Sequence, residues 1–313
     1  MGTRMGARMR EQLVGLPGGL RIRCRIENPG ASLPPLVLLN GSIFNLHQWD
    51  RLVAKGGWTR RFMLIRYDYA DTGGSSRRDG PVSIERLADE LVALLDALEL
   101  PAVHLHGISQ GTIVLQGLAA RAPARILSAA GYGWYHGDFS GIAATAARIE
   151  QRLVAFRELS SLWDRPLDRP AFDALWSAVY RRALFGADWD ALSAWGRLKD
   201  RVMRRMLFPL LAPTPIRTMH DWFDYCVREL PAAQAWLREG HEALASKPVL
   251  VQHAIADQTL EIGMARELCA AIPGARLGEY GEGYDHVSVA FRTAHARRMV
   301  ADHLAFLDEV GAI

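Results

Sequence analysis

Ser109 stands at the centre of Gly107-Ile108-Ser109-Gln110-Gly111, between the apolar runs Ala102-Val103-His104-Leu105 and Thr112-Ile113-Val114-Leu115. Strand, sharp turn and helix with a serine at the apex describe a nucleophile elbow, which lifts the hydroxyl out of the chain towards a substrate. The flanking glycines suit such a turn, because the strand and helix backbones come too close for side chains. A hydroxyl is a weak nucleophile by itself. It needs a base within hydrogen-bond reach and an acid that orients that base. The chemistry these residues could perform is acyl transfer through a covalent serine ester.

After a serine on an elbow, the acid and then the histidine follow in chain order, and such groups gather where parallel strands end. Asp257, in His253-Ala254-Ile255-Ala256-Asp257-Gln258, fills the acid position beyond one apolar run. His286, in Gly281-Glu282-Gly283-Tyr284-Asp285-His286, fills the base position beyond the last one. Other histidines are placed less well. His104 and His106 lie within the strand before the serine and read as core; His295 and His303 lie on the closing helix and read as surface or packing. His47 and His253 fall near the active face and read as wall residues. Glu261, the rival to Asp257, falls at the start of the next helix. A tetrahedral oxyanion also needs amide donors. One is expected from the backbone N–H of Gln110, at the head of a helix whose dipole favours negative charge. The other is expected from the loop after Leu36-Val37-Leu38-Leu39, through Ser42 or Ile43, with Ser42 preferred and Gly41 letting the backbone bend close.

The surrounding pattern must hold these loops together. Leu20 to Ile26 alternates apolar and charged residues, as an antiparallel edge hairpin does. Pro35–Leu39 and Phe62–Tyr67 are apolar runs suited to buried strands. Ser83 to Leu98 predicts an amphipathic helix capped by Ser83, with Leu87, Leu91, Leu94 and Leu95 on its apolar face. A strand over Arg125–Gly131 follows the elbow helix. From Trp134 to Ala245 no parallel-strand run occurs; this stretch is helical by periodicity and holds seven of the nine tryptophans. Strands resume at Pro248–Ala254 and Ala275–Tyr280, with helices over Gly263–Ile272 and Thr293–Leu307. Alternating strands and helices predict an α/β fold: a mostly parallel central sheet flanked by helices. The expected organisation is a core of 1–133 and 246–313 with a helical cap, 134–245, inserted over an apolar pocket.

With 313 residues, half of them hydrophobic, the chain can bury a large core. The net charge of +3 is mild, nearly all the base is arginine, and no nucleic-acid motif is present. Cys24, Cys226 and Cys269 are too scattered for a disulfide framework or a zinc site and read as buried thiols of a reducing cytoplasm. Neither a secretory leader nor a membrane span is expected. No metal or cofactor is implied.

Together the elbow, the loop acid and the late histidine resemble the α/β-hydrolase-fold serine enzymes over essentially the whole chain. Arg66-Tyr67-Asp68-Tyr69-Ala70-Asp71-Thr72-Gly73-Gly74-Ser75 is similar to that family's Asp-x-Arg-x-x-Gly-x-Ser loop, and its Asp-Thr-Gly to the anthracycline methylesterase and proline iminopeptidase branches. There are departures. Asn40-Gly41-Ser42 stands where the family has His-Gly, and Asp285 stands where it usually has glycine before the base. The Asn-Gly variant with a long cap resembles bacterial hydroxyacyl transferases that use acyl carrier protein or coenzyme A thioesters. The resemblance implies a serine hydrolase or acyltransferase acting on a small-molecule ester or thioester. Ser109 is then the nucleophile, His286 the base, Asp257 its orienting acid, and Gln110 and Ser42 the oxyanion donors. A large cap rich in Trp, Leu and Met suits an apolar acyl group, and Arg181, Arg182, Arg197, Arg201, Arg204 and Arg205 would face an acidic carrier protein or solvent. A ligand receptor on a hydrolase scaffold and a carbon–carbon bond hydrolase are the alternative functions.

Overall fold

The computed structural model describes residues 9–137, 143–181 and 193–313; Arg182 lies outside them. Eight strands form one sheet: β1 (Arg10–Gly15), β2 (Arg21–Glu27), β3 (Leu33–Leu39), β4 (Phe62–Tyr67), β5 (Val103–Ile108), β6 (Ile126–Tyr132), β7 (Val249–Ala254) and β8 (Arg276–Tyr280). Their order across the sheet is β1-β2-β4-β3-β5-β6-β7-β8. The first hairpin is antiparallel and joins β4 antiparallel; the pairs from β4 to β8 are parallel. This is the α/β architecture the sequence predicts, with the charged-alternating hairpin at one edge.

Burial explains the strand sequences. In β3, Val37 and Leu39 point into one hydrophobic cluster while Leu36 and Leu38 point into a second on the other face, and all four are fully buried. A strand covered on both sides has no polar positions, hence the unbroken apolar run. The helix Ile84–Ala97 covers the first face through Leu87, Leu91, Leu94 and Leu95, and Ser83 caps it by accepting from the Arg86 N–H. The helices Asp50–Gly56 and Thr293–Glu309 cover the second face. β6 ends one residue later than its apolar run suggests, because Tyr132 still pairs with Ile108 and Gln252.

Between β6 and β7 the described residues form the helices Ala143–Glu158, Arg169–Leu175, Ala194–Leu211, Ile216–Arg228 and Gln234–Leu244. Their buried side chains, among them Phe156, Phe172, Met219 and Trp222, belong to the same hydrophobic cluster as the first face of the sheet. Trp195, by contrast, is largely exposed. Arg181 pairs with Asp200 and Arg204 with Asp173, so these two arginines serve ion pairs within the helical segment.

Candidate active site

The turn at Ser109 is as sharp as its glycines imply. Ser109 adopts φ 52°, ψ −113°, a region that side chains other than glycine seldom occupy. It lies between β5 and the helix Gln110–Arg121. Its N–H donates to the Tyr132 carbonyl at 3.0 Å, and its own carbonyl accepts from the Thr112 N–H and Oγ1, each at 2.8 Å. A Cβ on Gly107 would come within 2.6 Å of the Gly111 carbonyl group, and one on Gly111 would collide with the Leu39 carbonyl oxygen. Both glycines are therefore required by close packing of backbone on backbone.

Three loops bring the expected groups together. The Ser109 hydroxyl lies 3.0 Å from His286 Nε2, and His286 Nδ1 lies 2.7 Å from Asp257 Oδ2. The other carboxylate oxygen of Asp257 accepts from the Thr259 N–H at 2.8 Å and the Leu260 N–H at 2.9 Å. Burial pushes this carboxyl's pKa upward. The His286 imidazole and the Leu260 amide outweigh that effect and hold it below the usual carboxylate range. An ionised Asp257 can only accept, so Nδ1 of His286 carries the proton and Nε2 is left to accept from the serine. A hydroxyl, an imidazole and a carboxylate thus stand in one hydrogen-bonded line, the geometry that nucleophile, base and orienting acid require.

The remaining candidates are placed as follows. His253 is fully buried, with Nε2 donating to the Leu260 carbonyl at 2.7 Å, so it braces the acid loop. His47 Nδ1 sits 2.9 Å from Asp50. His104 and His303 are core residues on the second face and its cover, beside His106. His295 stacks on Tyr284. Glu261 precedes the helix Ile262–Ala271. Asp285 is exposed, and its Oδ1 accepts from the Val287 N–H at 3.0 Å, so this carboxylate closes a local turn.

Gln110 is the first residue of its helix, so its N–H has no partner within the helix. The loop after β3 approaches it: a Cβ on Gly41 would stand 3.5 Å from the Ile108 carbonyl oxygen, and Ile43 and Gln110 line one cavity. A side chain on Gly41 would therefore meet that carbonyl only in ordinary contact, and the left-handed residue of the loop is Ile43, at φ 62°. Asn40, in the place of the family's histidine, is fully buried and structural. Its Nδ2 donates to the Tyr67 carbonyl, its Oδ1 accepts from Trp49 Nε1, both at 2.7 Å, and its carbonyl accepts from the Tyr69 hydroxyl at 3.0 Å.

Sequence reasoning missed two supports of this loop. Asp68 is fully buried and accepts from the Leu46 N–H at 2.6 Å and the Gly74 N–H at 2.8 Å, tying the loop after β3 to the loop after β4. Its place in the Asp-x-Arg-like motif was the available signal. Trp222, from the helix Ile216–Arg228, donates from Nε1 to Ser42 Oγ at 2.9 Å. Nothing in its local sequence marks it, since its partner is 180 residues away.

The cavity beside Gln110 has a volume of about 160 Å³. Ile43, Tyr69 and Trp222 form a buried apolar wall, whereas Arg77, Arg217 and Asp221 at its margin are substantially exposed. This cavity is thus apolar on one side and charged on the other. Among the described residues no helix is long and apolar enough to cross a membrane.

Comparison with known proteins places this geometry in context. Residues 34–289 match the model of a family described as alpha/beta hydrolase fold. The chain is 38% identical over 265 residues to rhodomycin D methylesterase DauP of Streptomyces sp. (strain C5), covering 78% of this chain and 82% of that protein. It is 28% identical over 262 residues to rhodomycin D methylesterase DnrP of Streptomyces peucetius, with the same coverage of both chains. The solved enol-lactonase from Burkholderia xenovorans LB400 superposes with a TM-score of 0.68 at 23% identity, covering 94% of this chain and all of that one. The match to the family model covers most of the chain and agrees with the sheet order and the serine elbow: the chain belongs to the α/β-hydrolase-fold family and is a hydrolase of that fold.

Proposed function

We infer that the protein hydrolyses a small-molecule carboxylic ester through an acyl-enzyme on Ser109. The observation that carries this reading is the continuous line Ser109–His286–Asp257, at 3.0 and 2.7 Å, ending on a serine at positive φ. His286 takes the hydroxyl proton as Ser109 Oγ bonds to the ester carbonyl carbon. The Gln110 and Ser42 amides receive the oxyanion. His286 then returns the proton to the leaving alkoxide, and a water, deprotonated by the same imidazole, releases the acid and frees Ser109. The helical segment 134–245 acts as a cap over a core of 1–133 and 246–313.

Hydrolysis is favoured over acyl transfer because the two methylesterases similar over 78% of the chain are named for ester hydrolysis. The same names favour an ester over a thioester, and a small alcohol as the leaving group. The apolar wall of the cavity suits an apolar or aromatic body next to the ester, with polar substituents reaching the charged margin.

The test is intact-mass spectrometry of the protein and of Ser109→Ala with a panel of methyl, aryl and thioester substrates, with product quantified in parallel. Turnover of esters that disappears in Ser109→Ala, with an acyl mass gain on the wild type when deacylation is slow, supports the reading. Turnover that survives in Ser109→Ala overturns it. Transfer to an added alcohol in preference to water would replace hydrolysis with acyl transfer.

A further inference from the structure

A helix leaves its last carbonyls without partners inside the helix. At the end of the helix Ala194–Leu211 two of these groups, and the carbonyl of Ala212 just beyond the helix, are satisfied by one residue from another part of the chain. The Asn45 backbone N–H donates to the Leu210 carbonyl at 2.9 Å, and its Nδ2 donates to the carbonyls of Pro209 at 2.9 Å and Ala212 at 2.8 Å. Asn45 is fully buried, and its Oδ1 accepts from the His47 N–H at 2.9 Å. Three residues earlier, Ser42 Oγ accepts from Trp222 Nε1. Trp222 is itself buried, and its indole lies 5.8 Å from the Tyr225 ring.

Between the two clamps lies Ile43, a β-branched residue at φ 62°. Such residues are rare in the left-handed region and stay there only where the surroundings over-determine the backbone. The loop's own sequence does not favour this shape, and bonds to the helical segment flank it on both sides.

We propose that Trp222 and Asn45 are positioning residues for the oxyanion loop: through them the helical segment sets the Ser42 amide opposite Gln110. This rests on the reading above that the Ser42 amide receives the oxyanion. The helical segment is then coupled to the chemical step as well as to substrate enclosure. A donor displaced by a fraction of an ångström acts on the transition state more than on the bound ester, because the negative charge develops only as the serine attacks.

The experiment compares Trp222→Phe, which keeps a ring and removes the N–H, and Asn45→Asp, which keeps the shape and removes two donors. Each is assayed on a soluble aryl ester and titrated with an alkyl boronic acid, which forms a tetrahedral adduct on the serine. Trp222→Phe is expected to lower kcat about tenfold with KM within about twofold, and to weaken boronate binding by the same factor. Asn45→Asp is expected to lose more. A folded Trp222→Phe with unchanged kcat and boronate affinity overturns the proposal, whatever its melting temperature. A change confined to KM also overturns it, by making Trp222 a pocket wall alone. Should Asn45→Asp fail to fold, Trp222→Phe decides. Ser109→Ala separates the two levels: if it retains turnover, the ester-hydrolysis reading fails, whereas an inactive Ser109→Ala beside an unaffected Trp222→Phe defeats only the positioning role.

Discussion

The two halves of the candidate site are built in different ways. On one side, Ser109 sits between a strand and a helix adjacent in sequence, and its shape is imposed by Gly107 and Gly111 a few residues away. On the other, the loop from Asn40 to Leu46 takes its shape from Tyr67, Asp68, Pro209, Leu210, Ala212 and Trp222, contributed by three other segments. The serine turn is encoded largely within its own strand and helix, and the loop after β3 by contacts with distant segments. A substitution at the elbow should therefore act at once and locally, while the loop should respond to changes far from it in sequence.

The sharpest way to break this contrast is at the nucleophile. Ser109→Ala should lower kcat by about 10⁶-fold, leaving binding and the amide donors intact; a steady-state assay with the fold checked by circular dichroism measures it. A loss of only tenfold would mean that the elbow is not where the chemistry occurs. Asp257→Asn comes next. An amide there can donate to Nδ1, so the imidazole adopts the wrong tautomer, and kcat should fall by about 10⁴-fold with KM little changed.

Gly111→Ala tests how closely the elbow helix must pack on β3. Its Cβ would meet the Leu39 backbone, which cannot rotate away as a side chain can, so the cost should be about 3 kcal/mol of stability, read from urea unfolding. Wild-type stability in that variant would show that the strand and helix have room to separate.

The smallest effect is expected from the second face of the sheet, remote from both halves. Burial holds His303 down to about 3 and His104 down to about 4. Their unfolded pKa is near 6.5, so the unfolded chain binds more protons between that pH and about 4. Stability from these neutral histidines is fully present above pH 6.5 and is lost as the pH falls through that window. The melting temperature should decline from pH 7 to 5, and His303→Phe, which suits a site beside Trp58, should flatten part of the decline. Equal slopes in the two proteins would remove His303 from the account.

The legible parts of the molecule follow the same division. The apolar run of β3, the Leu87–Leu91–Leu94–Leu95 stripe and the glycine-flanked serine are short-range patterns tied to strand, helix and turn geometry. Asp257 and His286 were legible because they fall in loops at strand ends, and the structure brings His286 to Ser109 and Asp257 to His286. Asp285, the departure beside His286, faces solvent and closes a local turn. The bend at Ile43 was not foreseen, since local sequence pointed to Gly41, and neither Asn45 nor Trp222 could have been singled out.

By itself, then, the sequence determined the strand and helix order, the two-sided burial of the parallel strands, and which serine, aspartate and histidine to look for at the strand ends. These follow from periodicity, close backbone approach and the chemistry of side chains, each of which acts within a few residues. Only the tertiary structure decided the shape of the loop after β3, the clasp of Asn45 on a helix end, and the cavity that is apolar on one wall and charged at its margin. Those depend on hydrogen bonds and contacts between segments that lie 22 to 180 residues apart. Their geometry exists only once the sheet has brought the segments together.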